Sequence, residues 1–474
     1  MKFFNSIAIN KLTLPFLWLT ICFLLFLNGI NSFISSSEYW SIYLSQHILT
    51  INSDWNAVYL KPLFHLLLST IYIFDLNDFY HIYATKILFS INGVIQFFLI
   101  YKILSIFYKK SNYLNLFLTV FIFSSPLFLA NYDRIRSDQL ALTFFLLFVF
   151  IKHSTFKGKN YFLGVLFFLI PLVAFKHIYF AILALFFMPI KVYAAQLRSQ
   201  KLIRKVIVYL FLANLLLWFL YFAIPALNYL LNSYENFSAS IVNLKTWLRT
   251  EWVYVYLSLF PFLAKEFRLY LQQKKISHLL YIELIILLIF LIHPQKYNFF
   301  IASFLPVLYL PFIFFVHFLK EKKVISFKYV IPVLCSVSVF SLYLAKKNSH
   351  VFTLNNPQLI TIERISNIIT KNNLSYLDGV GILPRGKNVG CFASPDDDRS
   401  NQSCIQTIQA KIPDAIIVTN RLMSLPFDFN TLENFDYAAI GPNLFIKKTF
   451  AEKFKNALTD WPPPSLLFSS EQLY

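Results

Sequence analysis

Glu38 and Asp138 are the carboxylates best placed for acid–base work, each standing at the edge of a long apolar run. Around them, also between apolar runs, lie Lys61, Arg134, Arg136, Lys176, His293 and Lys296. A cation at membrane depth is costly, so Lys176 and Lys296 should face a polar cavity or an anionic partner. A lipid-linked phosphate fits that demand. A carboxylate beside such cations could take a proton from an acceptor hydroxyl or amine, while the cations offset charge growing on a phosphate leaving group. Each residue also has a structural reading. Glu38 could solvate a helix start, Asp138 could cap one, and Lys61 could snorkel to the headgroups. Arg134 and Arg136 could instead bind anionic lipid headgroups or pair with Asp133, and His293 suits an interfacial cap. Asp54 fits a turn before an interfacial aromatic, Trp55.

The elements that must position these residues are membrane-spanning helices. Of 474 residues, 57% are hydrophobic and only 14% charged, against roughly 25% charged in soluble proteins. That excludes a soluble globular enzyme and a disordered chain. The net charge of +19 does not indicate nucleic acid, because the basic residues fall in short clusters between apolar runs, the pattern of membrane topology.

Residues 12–30 read as an uncleaved anchor with Lys2 and Lys11 on the cytoplasmic side. Residues 31–80 then form a first outer loop, its apolar piece at 62–74 too short to span and better suited to lying in the interface. Further spans are expected at 81–107, 113–130 and 140–151. The run 161–190 divides into two short spans turning at Lys176 and His177, since a single span would place Lys191, Arg198, Lys201, Arg204 and Lys205 outside. Spans at 202–221, 252–263, 279–292, 299–318 and 329–344 complete a polytopic α-helical membrane domain of about eleven spans over residues 1–346. An outer loop between 221 and 252 carries Glu251, and only Glu266 and Glu321 interrupt the basic inner loops.

Residues 347–474 differ in kind and read as an extracytoplasmic soluble α/β domain. Strands are expected at 379–384, 414–420 and 437–447, with a helix at 400–410. Cys391 and Cys404 share this polar region and could form a disulfide in an oxidising compartment. Asp396, Asp397 and Asp398 read as a solvated loop, and no metal site is expected. No GxGxxG, Walker A, HExxH or GxSxG element occurs, which argues against nucleotide-driven transport and serine or zinc hydrolysis.

The first loop, with Glu38, Ser53-Asp54-Trp55 and Tyr59-Leu60-Lys61-Pro62-Leu63, resembles that of integral-membrane glycosyltransferases of the GT-C class, in the aminoarabinose lipid A transferase and protein mannosyltransferase branch. Arg136-Ser137-Asp138 is similar to that branch's acid at the start of a span, Ala174-Phe175-Lys176 to its Thr-Lys-Gly turn, and Lys296-Tyr297 with Pro306 to its Lys-x-x-Tyr-x-x-Pro element. This chain departs in having Ser37-Glu38-Tyr39 where the branch has Asp-Glu, a single proline after Lys61, and Phe-Lys-His for Thr-Lys-Gly.

The resemblance covers about 350 residues and implies a GT-C-like fold that moves a sugar from a polyprenyl-phosphate donor to a lipid, glycan or protein acceptor, with inversion. It casts Glu38 and Asp138 as catalytic, Lys61, Lys176, Lys296, Arg134 and Arg136 as donor-phosphate contacts, and Asp54, Tyr59, His293 and Tyr297 as substrate contacts. No cofactor is required, although a divalent cation could assist. The partners would be the lipid-linked donor, the acceptor and membrane lipid, with no nucleic acid. The wealth of Lys, Asn, Ile and Phe fits an AT-rich genome and a bacterial inner membrane. The rivals are a lipid-linked-sugar flippase or transporter, a glycan polymerase or ligase, and a relative that binds without transferring.

Overall fold

The computed structural model describes residues 13–46, 61–109, 111–155, 158–174, 178–185, 240–273, 278–292, 298–324, 327–348, 355–389, 398–441 and 444–454. Up to residue 348 they form α1 (Thr13–Asn31), α2 (Ser36–Ser45), α3 (Pro62–Ser69), α4 (Asp78–Phe107), α5 (Asn112–Phe123), α6 (Pro126–Leu129), α7 (Ser137–His153) and α8 (Lys159–Val173). There follow α9 (Ile178–Leu185), α10 (Ser240–Thr250), α11 (Trp252–Leu259), α12 (Lys265–Gln273), α13 (His278–Ile292), α14 (Asn298–Leu308), α15 (Leu310–Glu321) and α16 (Phe327–Asn348). Among the described residues four helical segments are long and apolar enough to cross a membrane: Thr13–Asn31, Asp78–Phe107, Phe300–Glu321 and Tyr329–Lys346. The protein is thus a helical membrane protein with a small sheet. The apolar window of Phe300–Glu321 is 83% buried and that of Thr13–Asn31 only 17%, so the former is central and the latter peripheral.

Two of the expected spans are interrupted within their length, and proline is the physical reason. The 113–130 run stops as α5 at Phe123 and resumes as α6 with Pro126 in its first turn, because proline has no N–H to continue the ladder and clashes with the preceding turn. The 299–318 run changes from α14 to α15 at Tyr309, between Pro306 and Pro311. The run 161–190 divides into α8 and α9, which pack together. The expected turn at Lys176 and the span 202–221 lie outside the described residues.

Two poles follow from the contacts. At one, Lys320 Nζ donates to Ser111 Oγ (2.7 Å), Lys159 Nζ donates to the carbonyls of Lys152 (3.3 Å) and Ser154 (3.1 Å), and Tyr108 stacks on His317. At the other, the 32–38 segment meets residues 133–136 and the start of the C-terminal domain. The first outer loop and the 131–138 loop therefore share one pole, and the inner loops near 111, 152–159 and 320 share the other, while the expected turns at Lys176 and at 293–297 lie outside the described residues.

In the C-terminal domain α17 (Asn356–Ile368) leads into β1 (Ser375–Leu377), β2 (Lys387–Asn388), α18 (Asp398–Gln409), β3 (Ala415–Ile417), α19 (Asn420–Met423), β4 (Tyr437–Gly441), β5 (Leu444–Lys447) and α20 (Lys448–Phe454). The sheet order is β2-β1-β3-β5-β4, with β1 parallel to β2 and β3, and β5 antiparallel to β3 and β4. Residues 379–384, expected as a strand, instead turn around Asp378, whose carboxylate accepts the amides of Val380, Gly381 and Ile382 at 2.7–2.9 Å. Gly379 and Gly381 have positive φ, a conformation that favours glycine over strand formers. The 437–447 stretch is a hairpin, β4 and β5, where one strand was expected.

The domain is fastened to the membrane part. Gln358 exchanges two hydrogen bonds with the backbone of Ile34 (2.9 Å each), and Asn355 donates to the carbonyls of Ile30 and Asn31. Buried Asp78 accepts from Ser366 Oγ (2.6 Å), Thr370 Oγ1 (2.8 Å) and the Arg385 amide (2.7 Å). Gly381 lies so close to Tyr43 that a Cβ there would come within 2.7 Å of it.

Candidate functional site

The site grows from Ser35-Ser36-Ser37-Glu38, a sequence that starts α2 with a capping box: the glutamate at the third helical position reaches back to the cap amide. Glu38 Oε2 accepts from Ser35 N and Ser35 Oγ, both at 2.8 Å. The same carboxylate is then claimed by a distant loop. Arg134 Nη1 donates to Oε2 (2.9 Å) and the Ile135 amide to Oε1 (2.8 Å). Lys86, rising from α4, stands 3.9 Å from Oε1.

Lys86 also donates to Asp133, at 3.3 Å to its carbonyl and 3.5 Å to Oδ2, and Ser32 Oγ donates to that carboxylate. Arg134 reaches the carbonyls of Phe33 (2.9 Å) and Ala130 (3.1 Å). Two acids and two bases from three separate stretches thus form one charge-balanced cluster. Glu38 and Lys86 are fully buried within it. Burial alone would raise the Glu38 pKa, but Arg134, Lys86 and the amides of Ser35 and Ile135 outweigh it and hold the group at about 2.

A carboxylate so acidic, with both oxygens occupied, is a weak proton acceptor and a strong organiser of the two loops. The groups closer to solvent are half-buried: Ser37, Arg136, which donates to Ser37 Oγ, and Lys61, whose ammonium lies 6.0 Å over the Phe64 ring at the start of α3. Asp138 is buried in the first turn of α7, where the helix dipole favours its negative charge. Beneath it, Gln96 of α4 donates to Gln139 O (2.8 Å) and Thr143 Oγ1 (3.1 Å). Ser137 Oγ, Gln139 Nε2, Gln96 Oε1 and Asn92 Nδ2 are buried along this seam without a partner, a density of unpaired polar atoms that calls for water or ligand.

The structure brings Glu38, Arg134 and Arg136 together across two loops and sets Asp138 on the helix that continues the second. Lys61 begins the helix that packs beside α2. Asp54, Tyr59, Lys176, His293, Lys296 and Tyr297 lie outside the described residues. Cys404 is disulfide-bonded while Cys22 and Cys335 are free; Cys391 lies outside the described residues. Among the described residues no group of three His, Cys, Asp or Glu side chains is arranged to hold a metal.

Sequence reasoning missed Lys86 and Asp78. The signal for Lys86 was a lone lysine inside an apolar span, a residue that needs a named partner at that depth. Comparison with protein-family models, with curated proteins and with solved structures found no match.

Proposed function

We propose that the chain is a polytopic glycosyltransferase of the GT-C kind, moving a sugar from a polyprenyl-phosphate donor to a lipid, glycan or protein acceptor. The reaction would take place on the extracytoplasmic face of a bacterial inner membrane. The observation that carries this reading is the gathering of the first loop, the second loop and α4 into one charged cluster beneath the C-terminal domain. The pole rich in Lys152, Lys159, Lys320, Lys322 and Lys323 is then cytoplasmic by the positive-inside rule. The disulfide at Cys404 fits an oxidising compartment for the other pole.

In this scheme Asp138 is the acid next to the half-exposed rim and takes the acceptor proton. Glu38 shares the site by fixing Arg134 and, through the loop, Arg136. Arg136 and Lys61, with Lys176 and Lys296 in the same role, offset charge on the donor phosphate. The reaction needs no cofactor, and a divalent cation could assist it.

The test is transfer of radiolabelled sugar from polyprenyl-phosphate donors to candidate acceptors by the purified chain. Asp138→Asn is expected to abolish transfer with insertion intact, and Arg136→Ala to raise the donor KM about ten-fold. Wild-type turnover in Asp138→Asn would remove the proposed base. A second reading, a protein that binds the lipid-linked sugar without transferring it, draws on the saturated carboxylate of Glu38. It predicts donor binding without label appearing in any acceptor.

A further inference from the structure

A second buried glutamate, away from the candidate site, ties together both proline-broken spans. Glu251 occupies the turn between α10 and α11 and is 1% exposed. Its Oε1 accepts the Leu127 amide (2.6 Å), in the first turn of α6 immediately after the break at Ser124 and Ser125. Its Oε2 accepts the Tyr309 hydroxyl (3.0 Å), at the junction of α14 and α15. Ser125 bonds the same carboxyl, and Ser125 Oγ lies 3.5 Å from the Tyr309 hydroxyl. Next to this group Tyr254 of α11 links Ser124 (3.2 Å), the Phe121 carbonyl (3.2 Å) and Ser341 of α16 (3.1 Å), its ring 4.8 Å from that of Tyr309.

Among the described residues no cation takes part, and the titratable groups facing Glu251 are Tyr254 from α11 and Tyr309 from the α14–α15 junction. The partners from α6 and its preceding turn are neutral, as is Ser341 on α16. On α10, Lys245 and Arg249 are exposed. Among the described residues the carboxyl is therefore met by neutral donors alone, at a place where two interrupted helices meet.

We propose that Glu251 is a proton-operated latch: neutral, it closes the junction of the two broken spans, and on losing its proton it opens that junction to water. In the neutral form the Oε2 hydroxyl donates to Tyr309, which passes its own proton on toward Ser125, and Oε1 still accepts from Leu127. Every polar atom of the set keeps a partner. In the ionised form an uncompensated charge sits in a dry place, and hydration at the helix breaks relieves it.

Burial lifts the Glu251 pKa to about 7, against the downward pull of the Leu127 amide and the Ser125 and Tyr309 hydroxyls. The folded state thus holds this proton more tightly than the unfolded chain, whose value is near 4.5. Its contribution to stability is fully present below pH 4.5 and is lost as pH rises through 7.

The experiment is amide hydrogen exchange of the full chain in phospholipid nanodiscs, corrected for intrinsic rates, between pH 5.5 and 8.5. Peptides spanning 120–130 and 300–312 are expected to exchange at least three-fold faster at the alkaline end in the wild type, and to show no such rise in Glu251→Gln. A wild type without the rise, or a Glu251→Gln variant that keeps it, overturns the latch. Should Glu251→Gln fail to fold, Tyr309→Phe decides. Loss of a donor to the ionised form must move the midpoint of the rise to higher pH, and an unmoved midpoint overturns the proposal.

Discussion

Glu38 and Glu251 are the same residue type, both shut away from solvent, both accepting a backbone amide from the 126–136 stretch and a hydroxyl donor besides. Yet one is held at about 2 and the other raised to about 7. Burial pushes both upward. The difference lies in Arg134 and Lys86, which stand beside Glu38 and have no counterpart at Glu251 among the described residues. Hydrogen bonds from neutral groups do not replace a cation once water is gone, because they lower the cost of the charge without cancelling it.

The comparison breaks most sharply if its cations are removed. Lys86→Met takes the ammonium from Asp133 and leaves Glu38 with Arg134 as its cation, and the fold should lose about 3–5 kcal/mol, the usual cost of stripping one partner from a buried ion cluster. Denaturant unfolding in detergent measures it, and adding Glu38→Gln should recover part of the loss. Next in size is the pH response, which must have opposite signs. Glu38 has a depressed pKa, so its stabilisation is present above about 4.5 and is lost as pH falls through 2. Glu251 has a raised one, so Glu251→Gln should exceed the wild type in stability above pH 7 by about 3 kcal/mol and match it near pH 4.5. Parallel pH profiles for Glu38→Gln and Glu251→Gln would erase the distinction. The smallest effect concerns the C-terminal domain that covers the Glu38 side. Gly381→Ala puts a methyl into Tyr43 at positive φ, costs about 1–2 kcal/mol, and should speed proteolysis of the 355–454 region while leaving the Glu251 junction unaltered.

What the sequence disclosed follows the same division. The apolar runs were legible because a helix in lipid needs an unbroken stretch of apolar residues, and Thr13–Asn31 and Tyr329–Lys346 emerge close to where hydropathy placed them. The breaks at Pro126 and around Tyr309 were not foreseen, since hydropathy averages over a proline that the backbone ladder cannot ignore. Glu38 and the second-loop arginines were legible as a gathering, because charge between spans has few places to go. Lys86 was hidden by its apolar neighbours, and Glu251 by its position in a loop that looked solvent-facing. The strand expected at 379–384 failed on two glycines in left-handed backbone, while Ala415–Ile417 succeeded as a short β-branched run.

Ile34 and Gln358 are 324 positions apart, a separation that orders events during synthesis. At 5–20 residues per second, roughly 15–65 s pass between the ribosome's making one partner and the other. Throughout that interval the Ile34 amide and carbonyl, and the Asp78 carboxylate that awaits Ser366 and Thr370, must be served by water or by a chaperone. The rim around the Glu38 cluster is therefore closed by a part of the chain made long after it, and a nascent chain halted before residue 355 would present an unfinished rim.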